Sequence, residues 1–157
     1  MIFPLYRILY AGLILTSKGP KVIEFNARFG DPETQVVLPR MASDFGEFML
    51  ALMNEKQFDL QWKDEAMLGV VVAAEGYPGD VVKGNVLPEL SDIQLPVFHA
   101  GTKLLDGQYV GNGGRVLLVA AEAPTIKVAQ EKVYAELNKK EWSNFFFRQD
   151  IGWRTFK

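Results

Sequence analysis

The sequence predicts an α+β fold. Short apolar stretches of strand length recur along the chain, one segment near its end keeps helical spacing over several turns, and no internal repeat or low-complexity tract appears. With 157 residues, 48% of them hydrophobic and 23% charged, the chain can bury one real core or two small ones and has no compositional reason to be disordered.

Leu9 to Leu15 and Lys21 to Phe29 read as β-strands, and Thr16-Ser17-Lys18-Gly19-Pro20 as a turn joining antiparallel neighbours. The apolar start, Met1 to Leu15, carries Arg7 and lacks a small-residue cleavage pattern, so it reads as strand and not as a signal peptide. Val36 to Arg40 predicts a helical turn stopped at Pro39. Ser43 reads as the N-cap of a helix with Glu47 in its first turns and Phe48, Leu50, Ala51 and Leu52 following, fading near Asn54. Phe58 to Ala66 is polar and mixed, and the boundary between two structural units is placed there. Met67 to Ala74 and Arg115 to Ala121 are continuous apolar runs, expected as buried strands. Between them Gly76, Pro78, Gly79 and Gly84 punctuate the chain. Val97 to Leu104 and Gln108 to Val110 flank Leu105-Asp106-Gly107, a hairpin signal because Asp-Gly favours turns with two positive φ angles. Thr125 can cap a helix reaching Lys140, with Ile126, Ala129, Val133 and Leu137 on one face. Phe145-Phe146-Phe147 returns as a strand.

Composition excludes several functions. The net charge is −2 and no lysine or arginine block stands out, so no nucleic-acid partner is expected. No apolar run is long enough to span a membrane, and none is expected as a partner. Cysteine is absent, which removes disulfides and thiolate zinc sites and fits a cytoplasmic protein.

The densest chemistry lies between Glu24 and Gln35. Alternation puts Glu24, Asn26 and Arg28 on one strand face. A carboxylate, an amide oxygen and a guanidinium suit a hard cation and an anionic ligand, and Gly30-Asp31-Pro32-Glu33 adds a turn and two carboxylates. Taken alone, Glu24 and Asn26 also fit an edge strand facing water, and Arg28 a surface ion pair with Asp31 or Glu33. Asp31 also fits an N-cap with Pro32 at the first helical position, a geometry that aims free N–H groups at an anion. Asn112-Gly113-Gly114-Arg115 precedes a strand, so it lacks the context of a dinucleotide fingerprint and also fits a tight turn with an arginine at strand entry. His99 is the only histidine and reads as a hydrogen-bonded structural residue, with no serine–histidine–aspartate arrangement near it in the pattern.

Glu24 to Gln35 resembles the metal and substrate segment of the glycinamide ribonucleotide synthetases, ATP-grasp ligases of purine biosynthesis. Leu9 to Leu13, Gly76 to Gly79, Val97 to Thr102, Asn112 to Leu117 and Arg148-Gln149-Asp150-Ile151-Gly152 resemble further blocks of that family, in family order. The resemblance implies the C-terminal part of an ATP-grasp domain (residues 1–57) followed by a small β-rich, barrel-sandwich-like C-terminal domain (58–157). It implies ATP and magnesium or manganese as cofactors, and glycine and 5-phosphoribosylamine as substrates joined through an acyl phosphate. Glu24 and Asn26 match the metal- and ATP-binding pair, Arg28 a catalytic arginine, and Asp31, Glu33, Gly113, Gly114 and Arg115 the contacts to the amine substrate. Met1 to Arg7 departs from the family pattern, and Gly111 stands where threonine is common. Because the family's glycine-rich ATP-covering loop has no counterpart in these 157 residues, the chain alone is expected to be inactive and to self-associate through its ATP-grasp strands. A related ATP-grasp carboxylate–amine ligase, a non-catalytic binding or interaction module, and a purely structural domain are the other readings.

Overall fold

The structure is a computed structural model, and it describes residues 8–156. The departing stretch Met1 to Arg7, the first part of the apolar start, lies outside the described residues. The chain divides into two compact units, Met1–Lys63 and Asp64–Lys157. Residues 58–63, placed with the second unit from sequence, are tied to the first by backbone bonds. Ala42 N and Ser43 N donate to Gln61 O, and Lys63 N donates to Arg40 O.

In the first unit β1 (Tyr10–Thr16) pairs antiparallel with β2 (Gly19–Asn26). Gly19 takes a φ of 91°, which closes the turn between them, and Thr16 Oγ1 donates to Gly19 O. The predicted second strand overran the structure by three residues, because β1 begins only at Tyr10 and offers no partner beyond Asn26. A short helix α1 (Thr34–Val37) continues into a 3-10 turn, Leu38–Arg40. Pro39 therefore does not stop the helical turn. It sits within the first residues of the 3-10 segment, where a missing N–H breaks no internal bond. Helix α2 (Phe45–Met53) ends at Asn54 as expected, but its cap is Asp44, whose carboxylate accepts from Glu47 N at 2.8 Å. Ser43 instead accepts from Gln61 N.

The second unit holds a four-stranded antiparallel sheet in the order β4 (Val97–His99), β7 (Arg115–Ala123), β3 (Ala66–Ala74), β8 (Phe145–Phe147). The segment predicted as one strand from Val97 breaks at Ala100-Gly101. Beyond the break, β5 (Thr102–Leu105) and β6 (Gln108–Gly111) form the Asp-Gly hairpin, with positive φ at both Asp106 and Gly107. Helix α3 (Ile126–Leu137) packs on β3 and β7, and Thr125 caps it by accepting from Val128 N. Ala129, Val133 and Leu137 are buried with Val70, Val72, Val116, Leu117 and Val119. Among the described residues, every buried hydrophobic side chain belongs to this second unit. No described helix is long and apolar enough to cross a membrane.

Candidate functional site

Antiparallel register puts directly opposed residues on the same face, and Tyr10 faces Asn26 while Gly12 faces Glu24. Tyr10, Gly12, Glu24 and Asn26 therefore share one face of the hairpin. Ile23 is the extra residue of a β-bulge, since Gly12 opposes Glu24 but Leu13 opposes Val22. Gly12 leaves room for the carboxylate: a β-carbon there would lie 3.3 Å from Glu24 Cγ. Asn26 Nδ2 donates to Glu24 Oε1 at 3.1 Å, which locks the pair together and leaves Glu24 Oε2 and Asn26 Oδ1 as oxygen donors.

Arg28 does not join this face. It lies past the strand end, exposed, and its Nη1 donates to Phe29 O at 2.7 Å. The pleat that aligns Glu24 with Asn26 no longer operates there.

The Gly30–Gln35 turn gathers a second group of polar side chains. Tyr10 Oη donates to Glu33 Oε1 at 3.0 Å, a contact the sequence reading missed. Gly30 is buried beneath them, and a β-carbon on it would lie 2.6 Å from Glu33 Oε2 and 3.3 Å from Tyr10 Cδ2. The bond to Glu33, then desolvation, then the charges of Glu33 and Glu24 hold the Tyr10 hydroxyl above its ordinary pKa.

Asp31 is not an N-cap. The helix begins at Thr34, whose backbone N and Oγ1 both donate to Gly30 O, and the cap position falls on Glu33, which makes no side-chain cap bond. Asp31 Oδ1 instead accepts from Gln35 Nε2 at 3.0 Å. The expected Asp31-capped helix start is not formed: α1 is a single four-residue turn, and its first N–H, on Thr34, donates to Gly30 O. Gln35 Oε1 is buried without a hydrogen-bond partner.

Magnesium-class cations take oxygen ligands, usually one or two from protein and the rest from water and phosphates. Glu24 and Asn26 fit that donor set in chemistry and adjacency. Among the described residues no group of three or more His, Cys, Asp and Glu side chains forms an ion-holding cluster. The face suits a cation shared with a bound anion rather than an all-protein cage.

In the second unit Asn112-Gly113-Gly114-Arg115 is clasped from two sides. Asn112 N donates to Gly101 O at 2.7 Å, Gly101 N to Arg115 O at 2.9 Å, and Ala74 N to Gly114 O at 2.8 Å. Three sequence blocks, around Gly76, Gly101 and Gly113, thus meet at one loop. Gly111, where a hydroxyl was in question, is buried with a Phe145 ring carbon 2.8 Å from where its β-carbon would be. The Arg148–Gly152 block is a clasp on α3: Tyr134 Oη donates to Arg148 O and accepts from Ile151 N, and Gln130 Nε2 donates to Ile151 O. His99 is exposed, with Nδ1 3.0 Å from Thr102 Oγ1 and its ring against Tyr109.

Residues 67–154 match the family model described as phosphoribosylglycinamide synthetase, C domain, and residues 3–34 match the model of the ATP-grasp (A) domain of the same synthetase. The chain is 54% identical over 147 residues to the phosphoribosylamine–glycine ligase of Halalkalibacterium halodurans, covering 92% of this chain and 34% of that protein. It is 55% identical over 149 residues to the ligase of the same name from Listeria innocua, covering 92% and 36%. The crystal structure of phosphoribosylamine–glycine ligase from Thermotoga maritima superposes with a TM-score of 0.80 at 32% identity, over 92% of this chain and 36% of that one. The chain spans about a third of the length of these relatives.

Proposed function

Because the chain belongs to the phosphoribosylglycinamide synthetase family, we propose that it supplies the metal- and amine-binding part of a phosphoribosylamine–glycine ligase. The reaction joins glycine to 5-phosphoribosylamine with cleavage of ATP to ADP and phosphate. The observation that carries this reading is the Glu24–Asn26 oxygen pair, held on one strand face inside the segment that matches the ATP-grasp model.

In such a ligase a glycine carboxylate oxygen attacks the γ-phosphorus and ADP leaves, giving an acyl phosphate. The amine nitrogen then attacks the acyl carbon, phosphate departs and the nitrogen loses a proton. The protein's part is positioning and charge neutralisation. Glu24 and Asn26 hold magnesium or manganese, which when bound offsets negative charge on the nucleotide phosphates. Arg28, exposed and donating to the Phe29 carbonyl, turns its guanidinium toward the transferring phosphoryl oxygens. Asp31 and Glu33 accept hydrogen bonds from the amine or sugar hydroxyls of phosphoribosylamine, with Tyr10 steadying Glu33. The Gly113-Gly114-Arg115 loop offers backbone groups and one guanidinium to phosphoribosylamine. The first unit serves as ATP-grasp part and the second as the family's C domain.

Grafting this chain in place of the matching segment of the Listeria innocua ligase tests the proposal. The graft is expected to release phosphate only when glycine and phosphoribosylamine are both present, and the 157-residue chain alone to release none above background. An active graft indifferent to loss of Glu24 and Asn26, in rate and in magnesium dependence, would overturn the metal assignment.

A further inference from the structure

We propose that Tyr77 is the positioning residue of Arg115, its ring acting as the floor of the Gly113-Gly114-Arg115 loop and its hydroxyl facing the guanidinium. The inference rests on the reading above, in which Arg115 meets the amine substrate.

Gly114 does not occupy the left-handed region, so its backbone angles do not demand glycine. Space does. A β-carbon on Gly114 would lie 3.0 Å from Tyr77 Cε2 and 3.3 Å from Cγ, and closer still to Cδ2. These are carbons of a planar ring that cannot fold away as a long flexible chain can. One residue fixes the height of both partners: Ala74 N donates to Gly114 O at 2.8 Å, and Ala74 O accepts from Tyr77 N at 3.1 Å. Across the loop Gly101 is equally pressed, since a β-carbon there would meet Arg115 O at 2.6 Å and Gly113 Cα at 2.9 Å. The loop therefore lies between the Gly101 backbone and the Tyr77 ring, with no room for a side chain on either contact.

Arg115 follows directly, and its direction is also set. Val72 opposes Leu117 while Ala73 opposes Arg115, so Val116 is the extra residue of a β-bulge at the start of β7. A bulge re-aims the side chain beside it. Arg115 Nη1 donates to Tyr77 Oη at 3.5 Å, a long contact that orients the guanidinium. Phenylalanine would fill the same space, so the hydroxyl is the part of Tyr77 that packing leaves unexplained.

Two measurements test the proposal. On the chain itself, Gly114→Ala is expected to lower the unfolding temperature by roughly 5 °C, and to have little further effect in a Tyr77→Ala background, where the ring is gone. Equal losses in both backgrounds would overturn the floor role. In the Listeria innocua graft, Arg115→Ala is expected to raise KM for phosphoribosylamine about tenfold, with KM for ATP and kcat at saturation little changed. Tyr77→Leu should reproduce that effect, Tyr77→Phe should show only part of it, about threefold, and the Tyr77→Leu, Arg115→Ala double variant should be no worse than Arg115→Ala alone. If Arg115→Ala raises KM while Tyr77→Leu does not, the positioning role is wrong and the substrate reading stands. If Arg115→Ala leaves KM unchanged, the substrate reading of the loop falls, and the inference with it.

Discussion

Glu24 and Asn26 meet because they stand two apart on a paired strand, and the hydrogen bond between them shows that their side chains share a face. In the grafted ligase, Glu24→Ala is expected to remove at least about 3 kcal/mol of transition-state stabilisation, the usual scale for a group that neutralises charge at the reacting centre. Asn26→Ala should cost less, since water replaces a neutral ligand more readily, and raised magnesium should partly restore both. Steady-state rates across a magnesium titration decide it, and two unaffected variants would remove the assignment. This pair was legible in the sequence because alternation is local. Arg28 was not, because the end of β2 is fixed by where β1 begins, a fact held elsewhere in the chain. Tyr10 was missed for the same reason: only the register across the hairpin puts it beside Asn26 and brings its hydroxyl to Glu33. A different prediction concerns Asp150, which the hydrogen bonds from Arg148 hold below the usual carboxylate pKa. A depressed folded-state value means the contribution to stability is fully present above the ordinary aspartate pKa and is lost as pH falls through the lowered one. Asp150→Asn should therefore lower the unfolding temperature slightly at neutral pH and make no difference in strong acid. A gap that widened on acidification would contradict the sign.

Each unit has one bulge beside a candidate functional residue, at Ile23 beside Glu24 in the first and at Val116 beside Arg115 in the second. Each shifts the alternation of its strand by one residue, so the polar side chain beside it changes face. Neither was legible, because Lys21 to Phe29 and Arg115 to Ala121 read as uninterrupted strands, and a bulge depends on the partner's register. Elements whose cause is local were legible. Asp106-Gly107 makes the hairpin because both residues accept positive φ, and α3 shows its buried face in its own spacing. Where two capping residues stood side by side, Ser43 and Asp44, the choice depended on Gln61, which takes the serine hydroxyl from afar. Helix α3 supplies the test at this scale. Leu137 is fully buried among β3, β7 and Trp142, whose Nε1 donates to Leu137 O. Leu137→Ala should cost about 2–5 kcal/mol, transfer plus cavity, in denaturant unfolding followed by a probe within the second unit. A change below about 1 kcal/mol would mean the site collapses around the lost side chain more completely than a well-packed core allows.

Hydrophobic content is spread along the whole chain, but burial is not. Leu15, Ile23 and Phe25 are 84%, 67% and 63% exposed, whereas Val70, Val72 and Val119 are fully buried. Sequence marked the second set as buried, because Met67 to Ala74 and Arg115 to Ala121 are continuous apolar runs, whereas the first two strands carry Lys21, Glu24 and Asn26 among their apolar residues. Burial of apolar area contributes about 25 cal/mol per Å², so the second unit gains a core's worth of stabilisation that the described residues of the first do not. Among the described residues the β1–β2 ribbon has only its two strands, and its open edges and exposed leucines, isoleucines and Phe25 invite pairing with another copy. Amide hydrogen exchange of the isolated chain should therefore be faster between Leu9 and Lys63 than between Met67 and Phe145. Sedimentation should show association that grows with concentration. Leu15→Lys with Ile23→Lys places charge on the ribbon and should suppress the association while leaving protection of β3, β7 and α3 unchanged. Uniform protection along a chain that stays monomeric at high concentration would show that the first unit stands without a covering partner, and the charge substitutions would then have nothing to disrupt.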